Sequence, residues 1–203
     1  MIICMSDIIC VTNRTLCKGD FLRRIEEIAA AKPQSIILRE KDLAEDAYAA
    51  FARDVMAICK DYDIPCTLHS FVRTAVSLGA DRIHLPMHVL RTLTAEEKAA
   101  FSVIGASVHA PEEAQEAESL GASYLTAGHI FATDCKKGLP GRGLPFLAEV
   151  CRSVGIPVYA IGGISAANIA EIRKVGAAGA CIMSGLMQCA DVQAYLNAFE
   201  ENL

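Results

Sequence analysis

The chain contains no tryptophan, and aromatic residues make up only 6% of its 203 positions. The bulk of any core must therefore come from Ala, Ile, Leu and Val, as expected where small helices pack on a buried parallel sheet. Charge is sparse as well: 21% of residues are charged, and 19 basic against 24 acidic residues leave a net charge of −5. That balance supplies no basic face of the kind nucleic acid requires, so no nucleic-acid partner is expected, although a local positive pocket remains compatible with it. No apolar run approaches the roughly 18 residues that span a bilayer, so no membrane association is expected either. The opening M-I-I-C-M-S-D-I-I-C lacks a basic n-region and is interrupted by Asp7. No signal peptide is expected from it, and the expected location is cytoplasmic. None of the nine cysteines stands in a C-x-x-C pair, and the spacings of zinc sites are missing. Cys10, Cys66 and Cys181 lie inside apolar runs and read as reduced, buried small hydrophobes.

What is present is a composition 53% hydrophobic, enough for a large core in one domain over residues 1–203. Short apolar runs at 8–11, 35–38, 65–68, 82–85, 102–105, 124–127, 157–161 and 179–183 read as strands. Between and after them come helical patterns at 20–31, 43–62, 71–78, 95–100, 111–120, 144–154, 167–175 and 190–199. Asp20 is placed to cap the first helix, and Pro111 occupies a first turn. The junctions L-G-A-D-R-I-H-L, L-G-A-S-Y-L-T-A and V-G-A-A-G-A-C-I repeat before strands, each with a glycine where a helix needs a left-handed end. Eight strand-then-helix units in about 200 residues predict an α/β fold, a small single (β/α)8 TIM barrel. An open doubly wound sheet is the alternative. It more usually has five or six strands, and no G-x-G-x-x-G turn follows the first strand here.

The segment T-A-G-H-I-F-A-T-D-C-K-K-G-L-P-G-R-G at 126–143 has no apolar period and carries four glycines, Lys136, Lys137 and Arg142. Connections of that length are usually functional or disordered, and cations on a bendable loop suit an anionic ligand. A barrel places its working groups at the carboxyl ends of strands. That rule selects Arg39, Glu40 and Lys41; His69 and Ser70; Met87 and His88; Ser107 and His109; His129, Thr133, Lys136 and Lys137; Gly162, Gly163 and Ile164; and Ser184 and Gly185. The glycines after strands seven and eight let backbone N–H groups approach phosphate oxygens. His84 lies within an apolar strand and reads as a core residue, separated by Pro86 from any helical pairing with His88. His109 stands at a helix start and reads as a cap. Glu40 and Lys41 read either as a surface ion pair or as site groups. His129 ends a strand beside Gly128, where an imidazole can both take and give a proton.

The segments G-H-I-F-A-T-D-C-K-K-G-L-P-G-R-G, A-I-G-G-I and I-M-S-G resemble the thiamine phosphate synthase superfamily, and more closely its TenI-like branch, the thiazole tautomerases. The likeness runs from about residue 8 to residue 187. The synthase pattern would put Gln, Arg and Lys around strand two, where Ile37, Arg39 and Lys41 stand. It would put Asn-Asp after strand three, where His69 and Ser70 stand, and G-Q-E-D after strand four, where Pro86 to Val89 read P-M-H-V. In the synthases those acidic groups hold magnesium and the pyrophosphate of the pyrimidine substrate, and Mg²⁺ wants hard oxygen ligands. The resemblance therefore implies no metal or other cofactor, with Mg²⁺ needed only if the chain is a synthase.

It further implies a thiazole phosphate held at Gly163, Ile164, Ser184 and Gly185, with Thr133 and Lys136 as polar loop contacts. A second synthase threonine is Cys135 here. Arg39 and Lys136 would hold the substrate's carboxylate or phosphate, Lys41 and Ser107 complete the binding set, and His129 would carry the proton. The expected function is a thiazole tautomerase of thiamine biosynthesis. The alternatives are a thiamine phosphate synthase coupling hydroxymethylpyrimidine pyrophosphate to thiazole phosphate, and a non-catalytic phosphate-binding regulator. The expected partner is a small-molecule thiazole phosphate, and a homodimer is expected by analogy.

Overall fold

Eight short strands of nearly unbroken apolar sequence leave no face for solvent, and they close on one another. The computed structural model describes residues 7–136 and 138–201. Its strands are β1 (Ile8–Val11), β2 (Ser35–Leu38), β3 (Cys66–His69), β4 (Arg82–Pro86), β5 (Val103–Val108), β6 (Tyr124–Gly128), β7 (Val158–Ile161) and β8 (Gly179–Ile182). They form a closed barrel in chain order, and β1 pairs with β8 in parallel, Ile9 opposite Cys181. The chain is thus a (β/α)8 barrel, as the strand–helix alternation predicts.

The helices are α1 (Phe21–Ala30), α2 (Glu45–Asp61), α3 (Val72–Ser77), α4 (Met87–Leu90), α5 (Ala95–Ala99), α6 (Pro111–Ser119), α7 (Gly143–Ser153), α8 (Ile169–Lys174), α9 (Ser184–Gln188) and α10 (Val192–Glu201). Asp20 does cap α1, accepting the Arg23 N–H at 2.8 Å, and Phe21, Ile25 and Ile28 form its buried stripe. Among the described residues no helix is long and apolar enough to cross a membrane.

Alternation along each strand splits the core. Ile8 and Cys10 face the helices, whereas Ile9, Val11, Ile37, Tyr124, Tyr159 and Cys181 form a separate cluster inside the barrel. Gly105 makes room there: a Cβ at that position would overlap the Tyr124 ring and the His84 imidazole.

Two differences from the sequence expectation affect the site. First, β5 runs through Val108, well past the expected end at residue 105, because β4 and β6 pair with it as far as Pro86↔Ser107 and Val108↔Ala127. Ser107 therefore sits in a rigid ladder. Second, α4 and α9 have four and five residues, too short for an apolar period to reveal. The 126–143 segment is tied down at its far end, where the N–H groups of Arg142 and Gly143 each donate at 2.9 Å to the carbonyls of His129 and Ile130. Lys137 lies outside the described residues.

Candidate functional site

At the carboxyl ends of the strands lies a cavity of about 360 Å³. Its wall contains His129, Arg39, Lys41, Ser107, Thr133, Lys136, Gly163, Ile164, Ser184 and Gly185, so the structure brings every one of these sequence candidates to one place. His69, His84 and His109 share the wall, whereas Ser70, Met87 and His88 do not.

Arg39 and Lys41 follow β2 directly. The Arg39 backbone N–H donates to Thr12 Oγ1 at 2.9 Å, and the Thr12 hydroxyl donates to Glu40 Oε1 at 2.7 Å. Glu40 also accepts the Arg14 backbone N–H at 3.0 and 3.1 Å. Of the two readings of Glu40 with Lys41, the surface ion pair fails. Glu40 is only 2% exposed, and its carboxylate anchors the strand end to the turn after β1. Burial lowers the Arg39 pKa from its ordinary value, opposed by Glu40. Burial also lowers that of Lys41, aided by the neighbouring charges of Arg39 and Lys136. The three cations thus lie close enough to repel one another, and no carboxylate stands in the cavity wall to neutralise them.

The next strands bring imidazoles. The His69 N–H donates to the Tyr48 hydroxyl at 2.8 Å, and that hydroxyl donates to the Leu38 carbonyl at 2.8 Å, which locks β3 to β2 above α2. The His69 ring stacks on His84 with centroids 5.7 Å apart. Burial first, then His84, Arg39 and Lys41, hold the His69 pKa well below the ordinary value. Burial pushes His84 down to about 3. Both rings are neutral at physiological pH. His84 is a core residue as expected, and it also borders the cavity. His109 caps nothing: α6 has no side-chain cap, and it is the His109 backbone N–H that donates to Glu113 at 2.7 Å.

His129 is 8% exposed, in the cavity wall, with Nε2 3.4 Å from the Leu139 carbonyl. Across from it, Gly162 (φ +97°) and Gly163 (φ +67°) adopt left-handed backbone. A Cβ on Gly162 would strike His129, and one on Gly163 the Ala132 carbonyl. Asn168 holds this turn, its Nδ2 donating to the Gly163 carbonyl and its Oδ1 accepting the Ser165 N–H, both at 2.9 Å. The N–H groups of Gly163 and Ile164 have no acceptor among the described residues, so they are available to an anion.

Tyr195 was not foreseeable as a wall residue. It comes from α10 and packs against Gly185, where any Cβ would overlap its ring. In sequence it is one more apolar position of a helical period.

The donor set does not fit a magnesium ion. Carboxylates are the usual hard ligands, and none lines this cavity. Asp134 lines an adjoining cavity that shares Arg39, Gly163, Ile164 and Ser184 with this one, and Glu40 is turned toward Thr12 and Arg14. Among the described residues no group of three or more His, Cys, Asp or Glu side chains is placed to share a metal ion.

Fold and cavity together define a (β/α)8 barrel whose carboxyl-end site is rich in cations and free backbone amides. The family model described as thiamine monophosphate synthase matches residues 8–186. The thiamine-phosphate synthase of Syntrophomonas wolfei is 32% identical over 190 residues, covering 90% of this chain and 89% of the relative. Thiamine-phosphate synthase 2 of Streptococcus pneumoniae is 32% identical over 199 residues, covering 95% and 93%. The solved thiamine phosphate pyrophosphorylase of Pyrococcus furiosus superposes with a TM-score of 0.82 at 30% identity, covering 98% of this chain and 95% of that one. A 3-hexulose-6-phosphate synthase structure, at 16% identity and a TM-score of 0.72, shares the fold alone. The chain belongs to the thiamine monophosphate synthase family.

These relatives overturn the expectation of a thiazole tautomerase. They are named synthases at about 32% identity over nearly the whole chain, and the isomerase assignment is withdrawn in favour of the transferase alternative. The cavity agrees physically. The wall gathers three protein cations beside a pair of free amides, more positive charge than a single carboxylate and phosphate call for.

Proposed function

We propose that the chain is a transferase of the thiamine-phosphate synthase kind, coupling a thiazole phosphate to a hydroxymethylpyrimidine pyrophosphate. The observation that carries this reading is the gathering in one cavity of three cations, Arg39 and Lys41 after β2 and Lys136 from the loop after β6, with the free amides of Gly163 and Ile164 after β7. A single thiazole carboxylate phosphate also carries two anionic groups, but a pyrophosphate brings more negative charge than a carboxylate, and three clustered cations suit the larger charge.

The chemistry is a displacement at carbon. The ring nitrogen of the thiazole contributes its lone pair to a new N–C bond at the pyrimidine methylene. The C–O bond to pyrophosphate breaks, and pyrophosphate leaves with that electron pair. The thiazole becomes a cation and no proton moves. An acid–base imidazole is therefore not demanded, and neutral His69 and His84 suit a wall that meets uncharged ring faces. Gly163 and Ile164, with Ser184 and Gly185 beside them, hold the thiazole phosphate. Thr133 and Ser107 supply hydroxyls, and the cations stabilise charge as it develops on the leaving group. Holding both rings in line contributes through orientation, and His129 shapes the wall next to Gly162.

The test is to incubate the protein with both phosphorylated halves, with and without Mg²⁺, and to follow thiamine phosphate by chromatography and pyrophosphate release in parallel. Equal amounts of both products are expected. Formation of neither under either condition defeats the assignment.

A further inference from the structure

The cavity wall contains Arg39, Lys41 and Lys136 and not one Asp or Glu. We infer that this site binds the pyrophosphate group through protein cations alone, without a divalent metal ion. The inference rests on the transferase reading for its biological ligand, but the binding property stands on the charge pattern.

Three observations converge. First, the carboxylates that a metal-assisted site requires are absent from the wall, and the place of the acidic, metal-holding residue in the synthase pattern is taken by Ser70, next to His69. The His69 ring is neutral, bonded through Nδ1 to Ser70 Oγ at 2.7 Å and stacked on His84. A neutral imidazole neither repels a bare polyanion nor offers the hard oxygen that Mg²⁺ prefers. Second, the buried carboxylate nearest in sequence, Glu40, is saturated by Thr12 and Arg14. Third, the side chains of Arg39, Lys41 and Lys136 form no hydrogen bond or ion pair among the described residues, although they crowd one another electrostatically. Like charges held together without a counterion are stabilised when a polyanion enters. Arginine adds a planar fork that matches two phosphate oxygens at once.

The sign of the metal effect follows. Free Mg²⁺ complexes pyrophosphate and lowers its negative charge, so a site made of cations prefers the naked anion. In a carboxylate site the same ion strengthens binding.

The experiment uses the full chain and inorganic pyrophosphate, titrated calorimetrically in EDTA and again with excess Mg²⁺. The expected result is binding in EDTA that is unchanged or weaker with Mg²⁺, together with an affinity loss of about tenfold or more in Lys41→Gln. Lys136→Gln provides a second variant in an exposed position should Lys41→Gln prove unstable in a melting control. Binding that is strengthened by Mg²⁺, binding that appears only with Mg²⁺, or no binding in either buffer overturns the inference. Because no thiazole or pyrimidine is present, failure here is distinct from failure of the coupling assay, which could still yield thiamine phosphate with Mg²⁺ supplied.

Discussion

The His84 imidazole bridges Tyr124 and Ser107: its Nδ1 lies 3.0 Å from the Tyr124 hydroxyl and its Nε2 2.8 Å from Ser107 Oγ. A neutral imidazole has one donor and one acceptor. With Tyr124 donating to Nδ1, Nε2 donates to Ser107, whose oxygen also accepts from the Thr126 hydroxyl at 3.2 Å. The Ser107 hydrogen is then left for a ligand in the cavity. A buried ring inside the barrel thus contacts a hydroxyl at its mouth, and the position of its proton decides which way that hydroxyl turns.

The same bridge predicts a pH dependence of stability. His84 has its pKa pushed by burial from 6.5 to about 3, so between those values the unfolded chain takes up a proton that the native chain does not. Stability therefore falls as pH drops below 6.5 and gains nothing from this group above it. The loss is about 3 kcal/mol by pH 4.5, two units below 6.5 at about 1.4 kcal/mol per pKa unit. His69 contributes in the same direction. Urea unfolding of the wild type and of His84→Gln at pH 7 and pH 4.5 measures it. The substitution should shrink the pH-dependent difference, and an unchanged difference counts against the assignment.

Tyr48→Phe should destabilise the fold by about 1–3 kcal/mol, because it leaves the buried His69 N–H without its acceptor and the Leu38 carbonyl without its donor. The expected fall in melting temperature is roughly 2–4 °C per kcal/mol for a chain of this length. A melting curve superimposable on that of the wild type contradicts the account.

Gly163→Ala should abolish productive thiazole phosphate binding. The residue has φ +67°, and its Cβ would strike the Ala132 carbonyl, so the turn and its free amides must move. Titration with thiazole phosphate reads the loss, and circular dichroism confirms that the barrel remains. Binding at wild-type affinity would remove the β7 turn from the site.

Glu40→Gln replaces a buried charge that accepts from Thr12 and the Arg14 N–H. A stability loss of about 1–3 kcal/mol is expected. The Arg39 N–H depends on the same Thr12 hydroxyl, so KM for the pyrophosphate substrate should rise more than kcat falls. A kcat effect with KM untouched would instead place Glu40 at the chemistry.

Much of this could be read along the chain. The alternation of short apolar runs with helical periods is a local property, and it led to eight parallel strands and a closed barrel. The rule that strand ends carry the working groups then selected Arg39, Lys41, His129, Gly163 and Ser184, all of which stand around the cavity. The reaction was harder to read. Missing carboxylates and a retained His129 look the same whether the pyrophosphate partner has been lost or is held by protein cations, because one residue's chemistry does not reveal how many anions share its cavity.

Local pattern, then, sufficed for the architecture, since burial and backbone propensity act over neighbouring residues. Partnership across the barrel required coordinates. That Glu40 belongs to Thr12 rather than to Lys41, that Tyr195 closes the wall behind Gly185, and that His84 links Tyr124 to Ser107 all depend on contacts between residues far apart in the chain. Barrel closure creates such contacts, and no spacing in the sequence encodes them.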